Sequence, residues 1–263
     1  MRALLMAGLL ASTLPRGGVE IVGHRGSSDE APENTLASFR LGFEQADACE
    51  LDIHRTLDGK VVVIHDANTK RTAGVDKPVA LQTLAELKTL DAGSFKSAKF
   101  AGERIPTLAE VLALIPDGKR QFIEIKCGPE VIPALVEVVE GSKKKPEQMA
   151  LIAFNLETLR EAKLKLPQLQ AYWLVGAKAD PKTGKLPEAD ELVRRCKDAG
   201  LDGLDVEGKL PVDEAFVGQV HAAGLKLYTW TVNVPALAKR LAAAGVDGIT
   251  TDRPLKIRET LAR

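Results

Sequence analysis

The sequence has few aromatic residues and no net charge, and each shortage excludes a class of protein. Aromatic residues make up 4% of the 263 residues, whereas hydrophobic residues make up 45%. This mixture is rich in Ala, Leu and Val, which favours helices packed on buried parallel strands and argues against a β-sandwich. Lys plus Arg and Asp plus Glu are balanced at 36 each, so no overall field attracts nucleic acid or an anionic membrane. Any anion site must therefore be local.

Cysteine is also scarce. The three cysteines, Cys49, Cys127 and Cys196, are an odd number without close spacing. They indicate neither a disulfide framework nor a CxxC metal site, and we expect them to be small buried thiols.

The sequence offers no stable membrane span at its N-terminus, because the apolar run from Ala3 to Leu14 is too short. This run follows Met1-Arg2 and ends near small residues, which is the layout of a secretory signal peptide. The alternative is an N-terminal extension that covers the bottom of the fold, since a clean A-x-A cleavage site is lacking. Residues 1–18 are therefore predicted to be a signal peptide or an extension. Export to the periplasm or the outside is favoured over a cytoplasmic location.

From Glu20 onward, short apolar runs alternate with helical patterns and turn signals, as in repeated βα units. Eight strands are predicted, near Glu20–His24, Ala48–Arg55, Gln121–Lys126, Met149–Ala153, Gln170–Leu174, Gly203–Val206, Lys226–Thr231 and Gly248–Thr251. Helices are predicted near Thr35–Gln45, Thr107–Leu114, Val131–Glu140, Asn155–Leu164, Glu188–Ala199, Val212–Ala223 and Pro235–Ala244. The predicted fold class is α/β, with one (β/α)8 TIM barrel over residues 19–263. Glycines and prolines break the rhythm after the second strand, which predicts a small inserted subdomain over residues 66–106.

Carboxylates recur at alternate positions of two predicted strands. Glu50 and Asp52 are two residues apart, so they share one face while the hydrophobic residues beside them face the helices. Glu124 and Lys126 share a face of the next strand in the same way. Carboxylates on one face are unfavourable unless a cation joins them. Three of them predict a site for a hard divalent cation, Mg²⁺ or Ca²⁺, and the lack of a Cys/His cluster counts against zinc.

Two histidines follow extended runs at the same predicted end of the barrel. His24 ends the first strand, and His65 follows the run from Val61 to Ile64. Barrel active sites lie at this carboxyl end of the strands. Two imidazoles near neutral pH can divide the roles of general base and general acid. One histidine alone is more often structural, so the catalytic interpretation depends on the pair together with the carboxylates.

The motifs, in their order, resemble those of the glycerophosphodiester phosphodiesterase family. The resemblance extends over nearly the whole chain after the N-terminal segment. It rests on Gly23 to Gly26 (GHRG), Ala31 to Thr35 (APENT), Glu50 to Asp52 (ELD), Thr56 to Gly59 (TLDG), His65 with Asp66, Glu124 to Lys126 (EIK), Thr229 to Asn233 (TWTVN) and Gly245 to Pro254 (GVDGITTDRP). Each motif alone is weak, but their order and spacing make the set specific.

The resemblance implies three sets of site residues: the acid/base pair His24 and His65, the metal ligands Glu50, Asp52 and Glu124, and the phosphate contacts Arg25 and Lys126. It also implies attack on phosphorus by the neighbouring glycerol hydroxyl and a cyclic phosphate that water later opens. Physical reasoning agrees with the phosphate contacts, because a guanidinium and an ammonium beside a divalent cation oppose charge developing on phosphoryl oxygens.

Several further polar or aromatic residues have two interpretations. Asn34 is predicted either to bind substrate or to cap the following helix. Trp230 has a family counterpart that lines the site, and the alternative is ordinary core packing. Asp205 is expected to cap a helix or to take a peripheral position in the site, because it lacks a basic partner and a matching family motif. Asp252, before Arg253-Pro254, is expected to cap the last turn.

The sequence thus predicts a metal-dependent phosphodiesterase that releases sn-glycerol 3-phosphate and an alcohol from small-molecule glycerophosphodiesters. One alternative keeps the barrel but acts on a lysophospholipid or a phosphatidylinositol-type lipid. Such a substrate needs an apolar path, and the predicted insertion has only Phe95 and Phe100 as aromatic residues. Another alternative is a non-catalytic phosphate-binding barrel. It is disfavoured because a binding protein would not need both histidines.

Overall fold

The computed structural model describes residues 18–263. The predicted signal peptide or extension, residues 1–18, lies outside the described residues except for Gly18. None of the helices in the described part is both long enough and apolar enough to cross a bilayer.

Eight parallel strands close a barrel within the described residues, which confirms the predicted fold class. A ninth strand, β3, pairs antiparallel with β2 and lies outside the ring. The strands are β1 Glu20–Gly23, β2 Ala48–Arg55, β3 Val61–Val63, β4 Arg120–Ile125, β5 Met149–Ala153, β6 Gln170–Val175, β7 Gly203–Glu207, β8 Lys226–Trp230 and β9 Gly248–Thr251. The order around the ring is β1-β9-β8-β7-β6-β5-β4-β2, and pairing of β1 with β2 closes it. In this ring, β7 lies diametrically opposite β2.

Helices follow the strands and cover the barrel. They are α1 Leu36–Gln45, α2 Lys70–Ala73, α3 Leu84–Leu87, α4 Leu108–Leu114, α5 Ile132–Gly141, α6 Leu156–Lys165, α7 Ala189–Asp198, α8 Glu214–Ala222, α9 Pro235–Ala244 and α10 Pro254–Leu261. The seven predicted helices correspond to α1 and α4 to α9, with ends shifted by one or two residues. The helix α10 was not predicted. It begins at Pro254 with no side-chain cap, so the usual start signal is weak.

The alternation of side chains along the strands separates two hydrophobic layers. Inside the barrel, Phe122, Tyr172 and Tyr228 pack on one another with ring centroids 4.8 to 5.8 Å apart. Outside, Leu51 and Ile53 join the larger layer between the strands and the helices. The lower half of the barrel interior is therefore filled with aromatic rings, and only the upper half, at the carboxyl ends, is left for a site.

The region after β2 differs from the repeated βα pattern. It holds β3, the short helices α2 and α3 and single turns of 3₁₀ helix. A separate hydrophobic cluster holds it together and includes Ile64, Val79 and Leu87. The segment packs beside β2 at the barrel mouth, which brings His65 and α2 close to the site.

Candidate active site

One cavity of about 180 Å³ opens at the carboxyl ends of the strands. Seven of the nine predicted site residues line it: His24, Arg25, Glu50, His65, Glu124, Lys126 and Trp230. The other two, Asp52 and Asn34, are buried beside it. The predicted residues therefore converge, although 206 positions separate His24 from Trp230 in the sequence.

The three predicted metal ligands form a compact acidic cluster. Glu50, Asp52 and Glu124 each present an oxygen, and these oxygens lie within 4.8 Å of one another. The residues are 2%, 0% and 7% exposed, and Glu50 Oε1 and Asp52 Oδ1 have no hydrogen-bond partner among the described residues. Burial and the neighbouring acids raise the pKa of Glu50 well above its usual range and that of Glu124 to about 7. Three buried carboxylates, two of which keep an unpartnered oxygen, fit a hard divalent cation.

Two basic side chains compensate part of this charge. Arg25 Nε lies 3.2 Å from Asp52 Oδ2, and Lys126 Nζ lies 2.9 Å from Glu124 Oε1 and 3.7 Å from Asp52 Oδ1. Burial disfavours an ionised Asp52, yet Arg25 and Lys126 outweigh that effect and hold its pKa below the ordinary value. Both cations reach the cavity, so an anion bound there would meet a guanidinium and an ammonium.

Arg25 owes its position to an unusual turn. Its φ of 54° lies in the left-handed region, which a residue with a side chain adopts at a cost of about 1–2 kcal/mol. The turn is held because the Arg25 N–H donates to Glu50 Oε2 at 3.0 Å and its carbonyl accepts from Ser38 Oγ at 2.8 Å. Gly23 is required here, since a Cβ would lie 2.4 Å from the Gly26 carbonyl oxygen. The GHRG motif thus directs both a main-chain donor and a guanidinium toward the acids.

His24 is oriented by a carboxylate that the sequence interpretation assigned elsewhere. Its Nδ1 lies 2.6 Å from Asp252 Oδ1, and its Nε2 faces Glu50 at 3.9 Å. Asp252 also accepts from Ser28 Oγ and Asn233 Nδ2. The expectation that Asp252 caps the last turn is wrong, because Arg253 occupies the cap position of α10. Asp252 instead fixes the imidazole with one ring nitrogen toward the cavity.

His65 has an equivalent arrangement on the other side of the acids. Its Nδ1 lies 2.7 Å from Asp66 Oδ1 and its Nε2 lies 3.2 Å from Lys126 Nζ. Burial lowers the pKa of His65, and the nearby Arg25 and Lys126 charges act in the same direction. The imidazole therefore favours its neutral form, in which Nε2 can accept a proton.

Arg71 on α2 connects the carboxylate partners of Arg25 and His65 from outside the cavity. Its guanidinium donates to both oxygens of Glu33 at 2.7 and 2.8 Å and to both oxygens of Asp66 at 2.7 and 3.0 Å. Glu33 in turn accepts from Arg25 Nη1 at 2.8 Å. One side chain of the inserted region thereby fixes the partners of Arg25 and His65. The sequence interpretation did not single out Arg71, because nothing in its local pattern indicates two carboxylates 5 and 38 positions away.

Asn34 and His54 support the site from below. Asn34 Nδ2 donates to Asp52 Oδ2 at 2.7 Å, and the side-chain oxygen Oδ1 of Asn34 accepts from the Asp52 N–H at 3.3 Å. The helix-cap alternative for Asn34 is wrong, since Thr35 caps α1. Its contact with substrate stays a prediction. His54 is 7% exposed and its Nε2 bonds to the His65 carbonyl oxygen, which supports the backbone before Asp66.

The rest of the cavity wall is mostly apolar. It is formed by Ile152, Phe154, Leu174 and Trp230. Phe154 and Trp230 pack edge to face with centroids 5.3 Å apart, and Phe154 is 48% exposed at the mouth. Asp205 is the acidic residue of this wall. It lies in the middle of β7 and lines the cavity apart from the acidic cluster, so the expected helix cap is wrong.

Comparison with known proteins gives a consistent result. The profile of the Glycerophosphoryl diester phosphodiesterase family matches residues 24–256. A glycerophosphodiester phosphodiesterase of Caldanaerobacter subterraneus subsp. tengcongensis is 37% identical over 241 residues, covering 89% of this chain and 94% of that protein.

Solved structures agree with this match. A phosphodiesterase of Oleispira antarctica, in complex with the product sn-glycerol-3-phosphate, superposes with a TM-score of 0.83 at 32% identity, covering 94% of this chain and 98% of that chain. A glycerophosphodiester phosphodiesterase of Thermotoga maritima has a TM-score of 0.74 at 28% identity, covering 93% and 99%.

Proposed function

The chain belongs to the glycerophosphoryl diester phosphodiesterase family, and we propose that it hydrolyses glycerophosphodiesters to sn-glycerol 3-phosphate and an alcohol. Membership makes it a phosphodiesterase. The observation that supports the substrate class and the mechanism is the arrangement of two imidazoles, His24 and His65, beside an acidic cluster in one cavity.

In this proposal, Glu50, Asp52 and Glu124 hold the divalent cation. The all-oxygen ligand set suits Mg²⁺ or Ca²⁺. When bound, the cation would neutralise charge on the phosphoryl oxygens. Arg25 and Lys126, which already balance part of the acidic cluster, would bind the remaining phosphate oxygens. With the cation and the phosphate bound, the positive and negative charges in the cavity would thus balance.

His24 and His65 would transfer the protons. Asp252 and Asp66 each hold the Nδ1 of one imidazole, so the Nε2 atoms are the ones that would face substrate. The Nε2 of His65 would exchange its contact with Lys126 Nζ for one with substrate. One imidazole would take the proton of the attacking hydroxyl while the other gives a proton to the departing alkoxide. The adjacent glycerol hydroxyl is the proposed nucleophile, and water would open the resulting cyclic phosphate.

The test measures release of glycerol 3-phosphate from glycerophosphocholine by the purified protein. We expect release that requires Mg²⁺ or Ca²⁺, stops with chelator and is lost in His24→Ala. A parallel assay with lysophosphatidylcholine addresses the lipid alternative, and we expect slower turnover of that substrate. Chelator-insensitive release, unchanged activity in His24→Ala or preference for the lysolipid would contradict the proposal.

We further propose export of the protein, on the basis of the pattern in residues 1–18 alone. Fractionation of cells that express the full chain, with the mass of the mature N-terminus, tests this. Intact protein confined to the cytoplasm would contradict it.

A further inference from the structure

One carboxyl group in the cavity has no use in the proposed mechanism. Asp205 is 1% exposed, and its Oδ1 has no hydrogen-bond partner among the described residues. It lies on β7, diametrically opposite β2, and therefore across the cavity from Glu50 and Asp52. It is not part of the compact group of acids whose oxygens could share a cation.

The surroundings of Asp205 supply no partner. Ile152 and Leu174, next to it in the wall, are apolar. On the adjacent strand β8, the Tyr228 hydroxyl donates to Glu20 at 2.7 Å and the Trp230 indole N–H donates to the main-chain carbonyl oxygen of Asp205 at 3.0 Å. Neither group serves the Asp205 side chain. A buried carboxyl without a hydrogen bond costs about 1–3 kcal/mol or more. An unpaired group of this kind, directed into a ligand cavity, is explained if the ligand supplies the partner.

We propose that Asp205 binds the terminal hydroxyl group of the glycerol moiety of the substrate. This inference rests on the proposed function. A phosphodiester bound by Arg25 and Lys126 has two arms, and the cavity offers them different surroundings. The deep arm meets the Asp205 carboxyl, whereas the other arm leaves past Phe154, which is 48% exposed. The glycerol arm carries free hydroxyls, so it suits the deep position, and the variable alcohol suits the open mouth.

The proposal predicts selectivity for an intact glycerol. A site that forms a hydrogen bond with a substrate hydroxyl discriminates against the analogue that lacks it, because its own buried group is then left unpaired. The alcohol side, where Phe154 and Trp230 form the wall, should discriminate less.

The first experiment compares glycerophosphocholine with the analogue in which hydrogen replaces the terminal glycerol hydroxyl; the hydroxyl next to the phosphate-bearing carbon is retained. We expect the wild-type kcat/KM to be about 10- to 100-fold lower for the analogue. In Asp205→Leu, kcat/KM for glycerophosphocholine should fall by a similar factor, and the analogue should then react equally well. If kcat/KM is lower for the analogue than for glycerophosphocholine by the same factor in Asp205→Leu as in wild type, the proposal is overturned.

Controls separate this outcome from loss of folding and from failure of the proposed function. Glu207→Gln changes a carboxylate two positions further along β7 whose partners are the Ala177 N–H and Lys209, and it should retain wild-type selectivity. The analogue comparison on wild type needs no variant, so it decides the matter even if Asp205→Leu is unstable. If wild type releases no glycerol 3-phosphate, the proposed function fails and this inference fails with it. Release without selectivity contradicts the inference alone.

A binding measurement gives an independent readout. With Mg²⁺ present, calorimetric titration of Asp205→Leu should show about 10- to 100-fold weaker binding of sn-glycerol 3-phosphate than wild type. Binding of inorganic phosphate should be unchanged, because phosphate does not reach across the cavity. Equal weakening for both ligands would overturn the assignment.

Discussion

The two ends of the barrel interior carry polar clusters of similar composition but opposite character. At the lower end, Arg120 donates to Glu20 Oε2 at 2.8 Å and to Gln170 Oε1 at 2.8 Å, and Tyr228 also donates to Glu20. At the upper end, Glu50 and Asp52 each keep an oxygen without a hydrogen-bond partner among the described residues, while Glu124 Oε1 lies 2.9 Å from Lys126 Nζ.

This difference separates a structural cluster from a functional one. A polar cluster that satisfies its own hydrogen bonds stabilises the fold and has nothing left to bind. An unsatisfied cluster destabilises the free protein, and a ligand that completes it gains binding energy. The comparison implies that substitutions at the upper end change activity and cation binding, whereas substitutions at the lower end change stability.

The largest expected effect is on kcat, and it compares a histidine in the cavity with a histidine outside it. His65→Ala should lower kcat for glycerophosphocholine by about 10²- to 10⁴-fold, because it removes a proton-transfer group. His221→Ala is the matched control, since His221 lies on α8, is bound to Asp247 and does not line the cavity. Steady-state kinetics with circular dichroism of both variants measures this. A comparable loss in His221→Ala would break the distinction between the ends.

The next effect concerns the satisfied cluster. Arg120→Leu leaves the largely buried Glu20 carboxylate without its ionic partner, so the free energy of unfolding should fall by up to about 3–5 kcal/mol. The kcat of the protein that remains folded should be unchanged, because Arg120 lies outside the cavity. Urea unfolding and active-site-normalised kinetics measure the two quantities. A loss of kcat without a loss of stability would reverse the roles assigned to the ends.

The residues of β2 show how much of the site could be predicted from the sequence. Glu50 and Asp52 are two positions apart, and the two-residue repeat of a strand determines that they share a face whatever the rest of the fold. The same repeat places Glu124 on the inner face of β4, and the barrel register aligns it with Asp52. Local periodicity therefore predicts the acidic cluster.

The partner of His24 could not be predicted in this way. Asp252 lies 228 positions from His24 and reaches it only because β9 pairs with β1 to close the barrel. Asp205 was assigned to a helix cap or the periphery of the site because no basic residue accompanies it in the sequence. In the structure, the missing partner is what distinguishes Asp205, and only the cavity reveals it. Long-range closure and unsatisfied groups leave no local pattern.

A third prediction uses pH to sharpen the comparison. The pKa of Glu124 is about 7 in the folded protein against an ordinary 4.5, so the folded state holds the proton that the unfolded chain has lost. Stability of chelator-treated protein should therefore be full below about pH 4.5 and fall as the pH rises through 7. We expect Mg²⁺ or Ca²⁺ to raise the melting temperature by roughly 5 °C at pH 8 and by less at pH 5.5, where protons compete.

The control for this titration is Glu124→Gln. It should flatten the pH dependence of the melting temperature in chelator and weaken the response to cation. If wild type and Glu124→Gln show the same pH dependence, the upper cluster is not the source of the instability.

The smallest expected effect lies outside the cavity, at Arg71. Asp66 and Glu33 are charged groups that would separate without the guanidinium between them, so His65 and Arg25 would lose part of their orientation. Arg71→Lys keeps the charge but cannot donate to both carboxylates in the forked geometry, and we expect kcat to fall by about 10-fold. Lys70→Ala is the matched control on α2, because the Lys70–Asp76 ion pair is exposed and contributes little. The melting temperature of Arg71→Lys should change little, since Arg71 is partly exposed. A fall in melting temperature with unchanged kcat would mean that Arg71 belongs with the structural cluster at the other end.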